Sequence, residues 1–113
     1  MSESTEASTQ KNALENTVSI KDTFVQGTVT ATAQTLADLS VDILQGQRFQ
    51  GIRISVHDTN IRMRDDGGLP TNVLGTRMGP GIYWFSKLEA GKLQLIAESI
   101  DTECTFQPQT FKG

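Results

Sequence analysis

Cysteine, histidine, tryptophan and tyrosine occur once each in the 113 residues. A single thiol, Cys104, excludes an internal disulfide and a cysteine-built zinc site, and suits a reducing compartment. A single imidazole confines histidine chemistry to His57. Its neighbour Asp58 is badly placed to orient it, because adjacent residues of a strand point to opposite faces. An exposed strand-end histidine is the expected role. Charge of either sign is also scarce, with 20% charged residues and a net charge of -3. Nothing there draws the chain to nucleic acid or to an anionic membrane. No apolar run approaches the roughly 20 residues that span a bilayer. The start, Met-Ser-Glu-Ser-Thr-Glu, has neither the basic opening nor the apolar stretch of a signal peptide. Sustained helical periodicity and βαβ alternation are missing too. The length suits one domain with one modest core.

What is present is β patterning. Residues 1–16 are rich in Ser, Thr, Glu, Gln and Asn and bury little by themselves, so they read as a polar N-terminal arm that orders against a partner or stays unfolded. Residues 17–113 read as the folded domain. Val18 and Ile20 alternate with polar residues, and Thr28–Ala33 alternates cleanly with β-branched side chains. Gln34 to Asp42 suits one helical turn with Leu36 and Leu39 inward. Gly51–Val56 is the clearest strand, with Ile52, Ile54 and Val56 on one face and Arg53, Ser55 and His57 on the other. Asp58-Thr59 offers a turn, and Asn60–Arg64 is expected to return antiparallel, making 51–64 a hairpin. Ile82–Phe85 and Leu93–Ala97 are further strands, separated by a turn at Glu89–Lys92. Thr102–Phe106 is the last strand, before a polar tail holding Pro108 and Phe111. Seven or eight short strands at even spacing predict an all-β fold, a single small antiparallel sandwich or jelly-roll-like domain with an extended N-terminal arm.

The most distinctive stretch runs from Asn60 to Gly81. It starts as a strand with Arg62 and Arg64 on one face and breaks at Asp65-Asp66-Gly67-Gly68. It then crosses Leu69-Pro70-Thr71, resumes around Leu74–Met78 and turns at Gly79-Pro80-Gly81. It reads as a stiff loop carried on two strands. Asp58, Asn60, Asp65 and Asp66 supply oxygens that could hold calcium, but in the wrong order for an EF-hand loop. A turn is the simpler reading and no metal is expected. Gly79-Pro80-Gly81 lacks the following helix and the Lys-Ser or Lys-Thr of a phosphate-binding loop, so no cofactor is expected. Arg53, Arg62, Arg64 and Arg77 could line one outer face, either solvated beside cross-strand acids or reaching acidic groups on a neighbouring subunit. Tyr83 and Phe85 share a face of their strand, leaving Trp84 on the other for an interface, a sugar platform or a second layer.

The run from Asn60 to Thr71, followed by Gly75, Met78 and Gly81, resembles a pattern in small accessory virion proteins of tailed bacteriophages. There a strand Asn-(Ile/Val)-Arg-x-Arg leads into Asp-Gly-x-x-Pro-Thr. The doubled Asp65-Asp66 and Gly67-Gly68 depart from it and shift the loop by a residue. The likeness covers about residues 50–106. It implies a non-enzymatic capsid decoration or cement protein, assembled in the host cytoplasm and carried on the virion surface. The implied partner is the major capsid protein, with the chain itself a dimer or trimer on the shell. Contacts are expected from Leu14, Val18, Arg62, Arg64, Asp66, Leu69, Pro70, Thr71, Arg77 and Trp84. The alternative is a receptor- or carbohydrate-binding module of a tail or fibre.

Overall fold

The computed structural model describes residues 14–20, 25–39 and 49–111. Residues 1–13 of the expected arm, and the part of the 34–42 turn beyond Leu39, lie outside them. In chain order the described elements are β1 (Thr17–Ser19), β2 (Val25–Val29), β3 (Gln34–Thr35), β4 (Gly51–Val56), β5 (Ile61–Arg64), β6 (Thr76–Met78), β7 (Gly81–Ser86), α1 (Lys87–Ala90), β8 (Gln94–Ala97) and β9 (Thr102–Phe111). They form two antiparallel sheets. The first has the order β1-β9-β4-β7, with β2 also pairing β9; the second has the order β3-β8-β5-β6.

The sheets meet through the inward residues of each alternating strand. Ile52, Ile54 and Val56 of β4, Phe85 of β7, and Cys104 and Phe106 of β9 supply one side of the core. Ile61, Met78, Leu95 and Ala97 supply the other. Phe106, Ile52, Ile54, Ile61 and Leu95 are fully buried. Each such side chain contributes about 1.5–3 kcal/mol by leaving water. Tyr83 packs against this cluster, whereas Trp84 lies opposite Arg53 on the outer side of the first sheet. The chain is an all-β sandwich.

The alternation at Thr28–Ala33 does not carry a strand to its end. β2 stops at Val29 because the Gln34 side-chain oxygen accepts from the Thr30 backbone N–H (2.9 Å) and hydroxyl (3.2 Å), bending the chain. The turn after it buries Leu36 and Leu39 as their spacing predicts. Thr35 and Asp38 hold it by reciprocal side-chain bonds.

Three expectations are corrected. β4 and β5 are not a hairpin: β4 lies between β7 and β9 in the first sheet, while β5 lies between β8 and β6 in the second. Residues 57–60 carry the chain across the sandwich, so the inward faces of both strands meet in the core from opposite sides. The stretch predicted as a turn at Glu89–Lys92 begins as helix. Ser86 caps α1, accepting from the Glu89 N–H while the Glu89 carboxylate accepts from the Ser86 N–H. Finally, the polar tail is strand, since β9 runs on to Phe111. Pro108 is tolerated there because its missing N–H falls at the gap between β1 and β2, where its carbonyl accepts from Ile20 N–H (3.0 Å).

Candidate functional site

Between β5 and β6 the chain makes a loop, residues 65–75, that folds back over the outer side of the second sheet. Arg62 and Arg64 point to that side because Ile61 and Met63 point to the core, and Arg77 of β6 stands opposite Arg62 in register. The three guanidinium groups do not project freely. Arg64 grips Asp66 with both ends of its fork, Nε to Oδ1 at 3.0 Å and Nη2 to Oδ2 at 2.6 Å, and Nη1 reaches the Leu69 carbonyl at 3.4 Å. Asp66 Oδ1 also accepts from the Gly68 N–H at 3.0 Å. These bonds, the Arg64 fork foremost, hold the Asp66 carboxyl down at about 2. Gly67 turns the chain with a φ of 85°, in the left-handed region that favours glycine.

The return half of the loop is held from below. Arg62 Nη1 donates to the Gly75 carbonyl at 3.0 Å. A Cβ at Gly75 would sit 2.9 Å from the Met63 carbonyl oxygen and 3.4 Å from Pro70, at a φ of 129°. The close approach therefore requires glycine. Glu98 joins the two strands below: its Oε2 lies 2.8 Å from Arg77 Nε and 3.1 Å from Arg62 Nε, the second at an angle too poor for a hydrogen bond. Hydrogen bonding from Arg77 leads the causes that lower the Glu98 pKa. Pro70 is buried as the loop's spacer. The tip, Thr71–Leu74, closes on itself. The Thr71 N–H donates to the Leu74 carbonyl (2.9 Å), and the Thr71 hydroxyl accepts from the N–H groups of Val73 (3.3 Å) and Leu74 (2.9 Å).

This arrangement exposes three aliphatic side chains within six residues: Leu69 at 64%, Val73 at 77% and Leu74 at 52%. It also buries Ile96, which faces outward from β8 opposite Arg62. Where the loop tip meets the second sheet and the turn before β9 lies a cleft of about 400 Å³, lined by Ala31, Thr71, Asn72, Ile96, Ala97, Glu98 and Ser99.

The structure thus gathers Arg62, Arg64, Asp66, Leu69, Pro70, Thr71 and Arg77 into one loop and its clamp. Arg53 does not belong with the other arginines; it lies on the outer side of the first sheet and reaches Ser19 Oγ at 3.4 Å. Trp84 shares that side, its half-buried ring against Gly51, where an added Cβ would fall 2.3 Å from the indole. Leu14 is half-buried, and Val18 on β1 is 43% exposed. His57 Nε2 bonds Thr105 Oγ1 across β4 and β9 at 2.8 Å. Cys104 is buried, which pushes its thiol up to about 12 and leaves it unreactive. Sequence reasoning missed Val73, Leu74 and Glu98. Val73 and Leu74 are apolar residues inside a loop of turn formers, a detectable signal, whereas Glu98 is far from its arginines in the chain.

The fold and site define a small β-sandwich that presents an aliphatic loop held by arginines. No protein-family model, curated protein or solved structure matches the chain.

Proposed function

We propose that the chain is a non-enzymatic binding protein that docks by loop 65–75, and that its target is the shell of a tailed-phage particle, where it acts as a decoration or cement protein. The observation that carries the docking reading is the exposure of Leu69, Val73 and Leu74 on a loop fixed by Arg62, Arg64 and Glu98. A segment held in its binding shape loses little conformational entropy on association, so its apolar contacts count nearly in full. The shell as target rests on the Asn60–Thr71 pattern and its likeness to accessory virion proteins. Many weakly held copies on a repeating lattice would reinforce a shell by avidity. The carbohydrate reading uses either Trp84, which is half-buried against Gly51, or the Asp65–Thr71 loop. Exposed aliphatics suit a protein surface better than a sugar.

The test is co-sedimentation with empty heads, stripped of accessory proteins, from the phage that encodes the chain. The full chain should bind saturably, and the Leu69→Asp/Leu74→Asp variant, folded by circular dichroism, should fail to bind. Equal retention of the two proteins, or of neither, would contradict the reading.

A further inference from the structure

The loop carries the chain's single aspartyl–glycyl bond, Asp66–Gly67, and the sequence has no asparaginyl–glycyl bond beside it. Such a bond is chemically vulnerable. Glycine has no side chain to shield its main-chain nitrogen, so that nitrogen can attack the carboxyl carbon of the preceding aspartate. The surroundings leave room for the attack. The Asp66 side chain is 60% exposed, and a Cβ built on Gly67 would meet nothing within 4 Å. Against it stands Arg64. Its guanidinium takes both carboxylate oxygens, at 3.0 and 2.6 Å, and lies so close over Gly68 that a Cβ there would fall 2.4 Å from Cζ. The Gly68 N–H holds Oδ1 as well. Attack requires the carboxyl to leave this fork, turn toward its own main chain and carry a proton. The fork resists all three.

We propose that Asp66–Gly67 is a self-modification site, where the aspartate isomerises through a succinimide, and that Arg64 is the guard that holds the reaction back. The Gly67 nitrogen bonds to Asp66 Cγ, and its proton leaves with the carboxyl hydroxyl as water. Water then reopens the ring. Cleavage between the nitrogen and Cγ restores aspartate. Cleavage between the nitrogen and the Asp66 main-chain carbonyl leaves isoaspartate, with Gly67 joined through Cγ. No oxidant or cofactor is consumed, and the product is an isomer of the starting chain. Its main chain is one methylene longer and its side chain one shorter, so the spacing that serves the Arg64 fork and the Gly68 bond is lost. A loop that loses its guard thus loses its shape for good.

Prolonged incubation of the folded full chain in mildly acidic buffer tests this, with isoaspartate located by peptide mapping and an isoaspartate-specific methyltransferase. The comparisons are Arg64→Gln, shown folded by circular dichroism, and the wild-type chain kept unfolded in guanidinium chloride. Isoaspartate at position 66 should form slowly in the folded wild type and ~10-fold or more faster in both others. Under the fork Asp66 titrates at about 2 instead of its ordinary 3.8, and so carries the required proton far less often. A folded wild type that isomerises as fast as the unfolded chain would overturn the proposal, as would an Arg64→Gln protein no faster than wild type. An unfolded chain free of isoaspartate at position 66 would overturn it too. The readout is a change in the main chain itself and needs no partner, so it stands apart from head binding.

Discussion

The outer sides of the two sheets use the same kind of strand to hold down neighbouring chain by different means. On the first sheet the outward residues of β9 that meet the chain around β1, Gln107 and Gln109, are neutral. Gln109 Nε2 donates to Ser19 Oγ (2.9 Å) and to the Gln107 carbonyl (3.1 Å), and Gln107 Nε2 donates to the Ile20 carbonyl (3.2 Å). Both amides are buried under the chain around β1. On the second sheet the covering segment is loop 65–75, and its fastenings are charged: Arg64 with Asp66, and Arg62 and Arg77 with Glu98. Amide fastenings are indifferent to pH and little affected by salt. Charged fastenings at a surface are weak individually and are screened by salt. The β1 side is therefore fixed with the fold, while the loop side is held by a clamp that can be loosened with the fold intact.

The largest effect should come from a change that ignores the distinction. Phe106→Ala empties the centre of the core and should cost about 3–5 kcal/mol in denaturant unfolding, loosening both sides together. Gly75→Ala should separate them. With Met63 O so close and the backbone in a region that suits glycine, it should cost about 1–3 kcal/mol and displace the loop, leaving the β1–β9 amide protections of Thr17–Ser19 unchanged. A smaller effect is expected from Glu98→Gln, which removes the charge shared by Arg62 and Arg77. Global stability should barely change, as expected for a surface ion pair, while hydrogen exchange in residues 73–77 should quicken.

Acid should act on the loop and spare the β1 side. Asp66 titrates at about 2 in the folded protein against an ordinary 3.8, and Glu98 is likewise lowered from 4.5. A depressed carboxylate pKa stabilises the fold above the unfolded value. That contribution is lost as pH falls from about 4.5 toward about 2, with protonation of the unfolded chain. The loop of the folded protein should loosen only at the low end of that window, where Asp66 takes its proton, as read by the chemical shifts of Gly68 and Leu69. The Gln107 and Gln109 side-chain amides should not move.

Much of the fold was legible in the chain because strand alternation is a local property. Ile52, Ile54 and Val56 announce their face, and so do Tyr83, Trp84 and Phe85. What was not legible depends on pairing partners. Nothing in Asp58-Thr59-Asn60 distinguishes a hairpin turn from a crossing between sheets, because both need a polar bend between alternating strands. Likewise a strand running through Pro108 is tolerated only where a ladder is interrupted, and that gap belongs to β1 and β2, about ninety residues away. The loop was legible as a stiff turn. Its clamp was not, because the residue that joins Arg62 to Arg77 is Glu98, from the bend just after β8.

Loop 65–75 is held in one shape by arginine contacts within the chain. Backbone 15N relaxation of residues 66–76, in the full chain and in an Arg64→Gln/Glu98→Gln variant, tests it most directly. Order parameters are expected near the ~0.85 of rigid backbone in the wild type, falling toward ~0.6 in the variant, with β4 and β9 unchanged. A loop already mobile in the wild type, or equally ordered without its clamp, would contradict it.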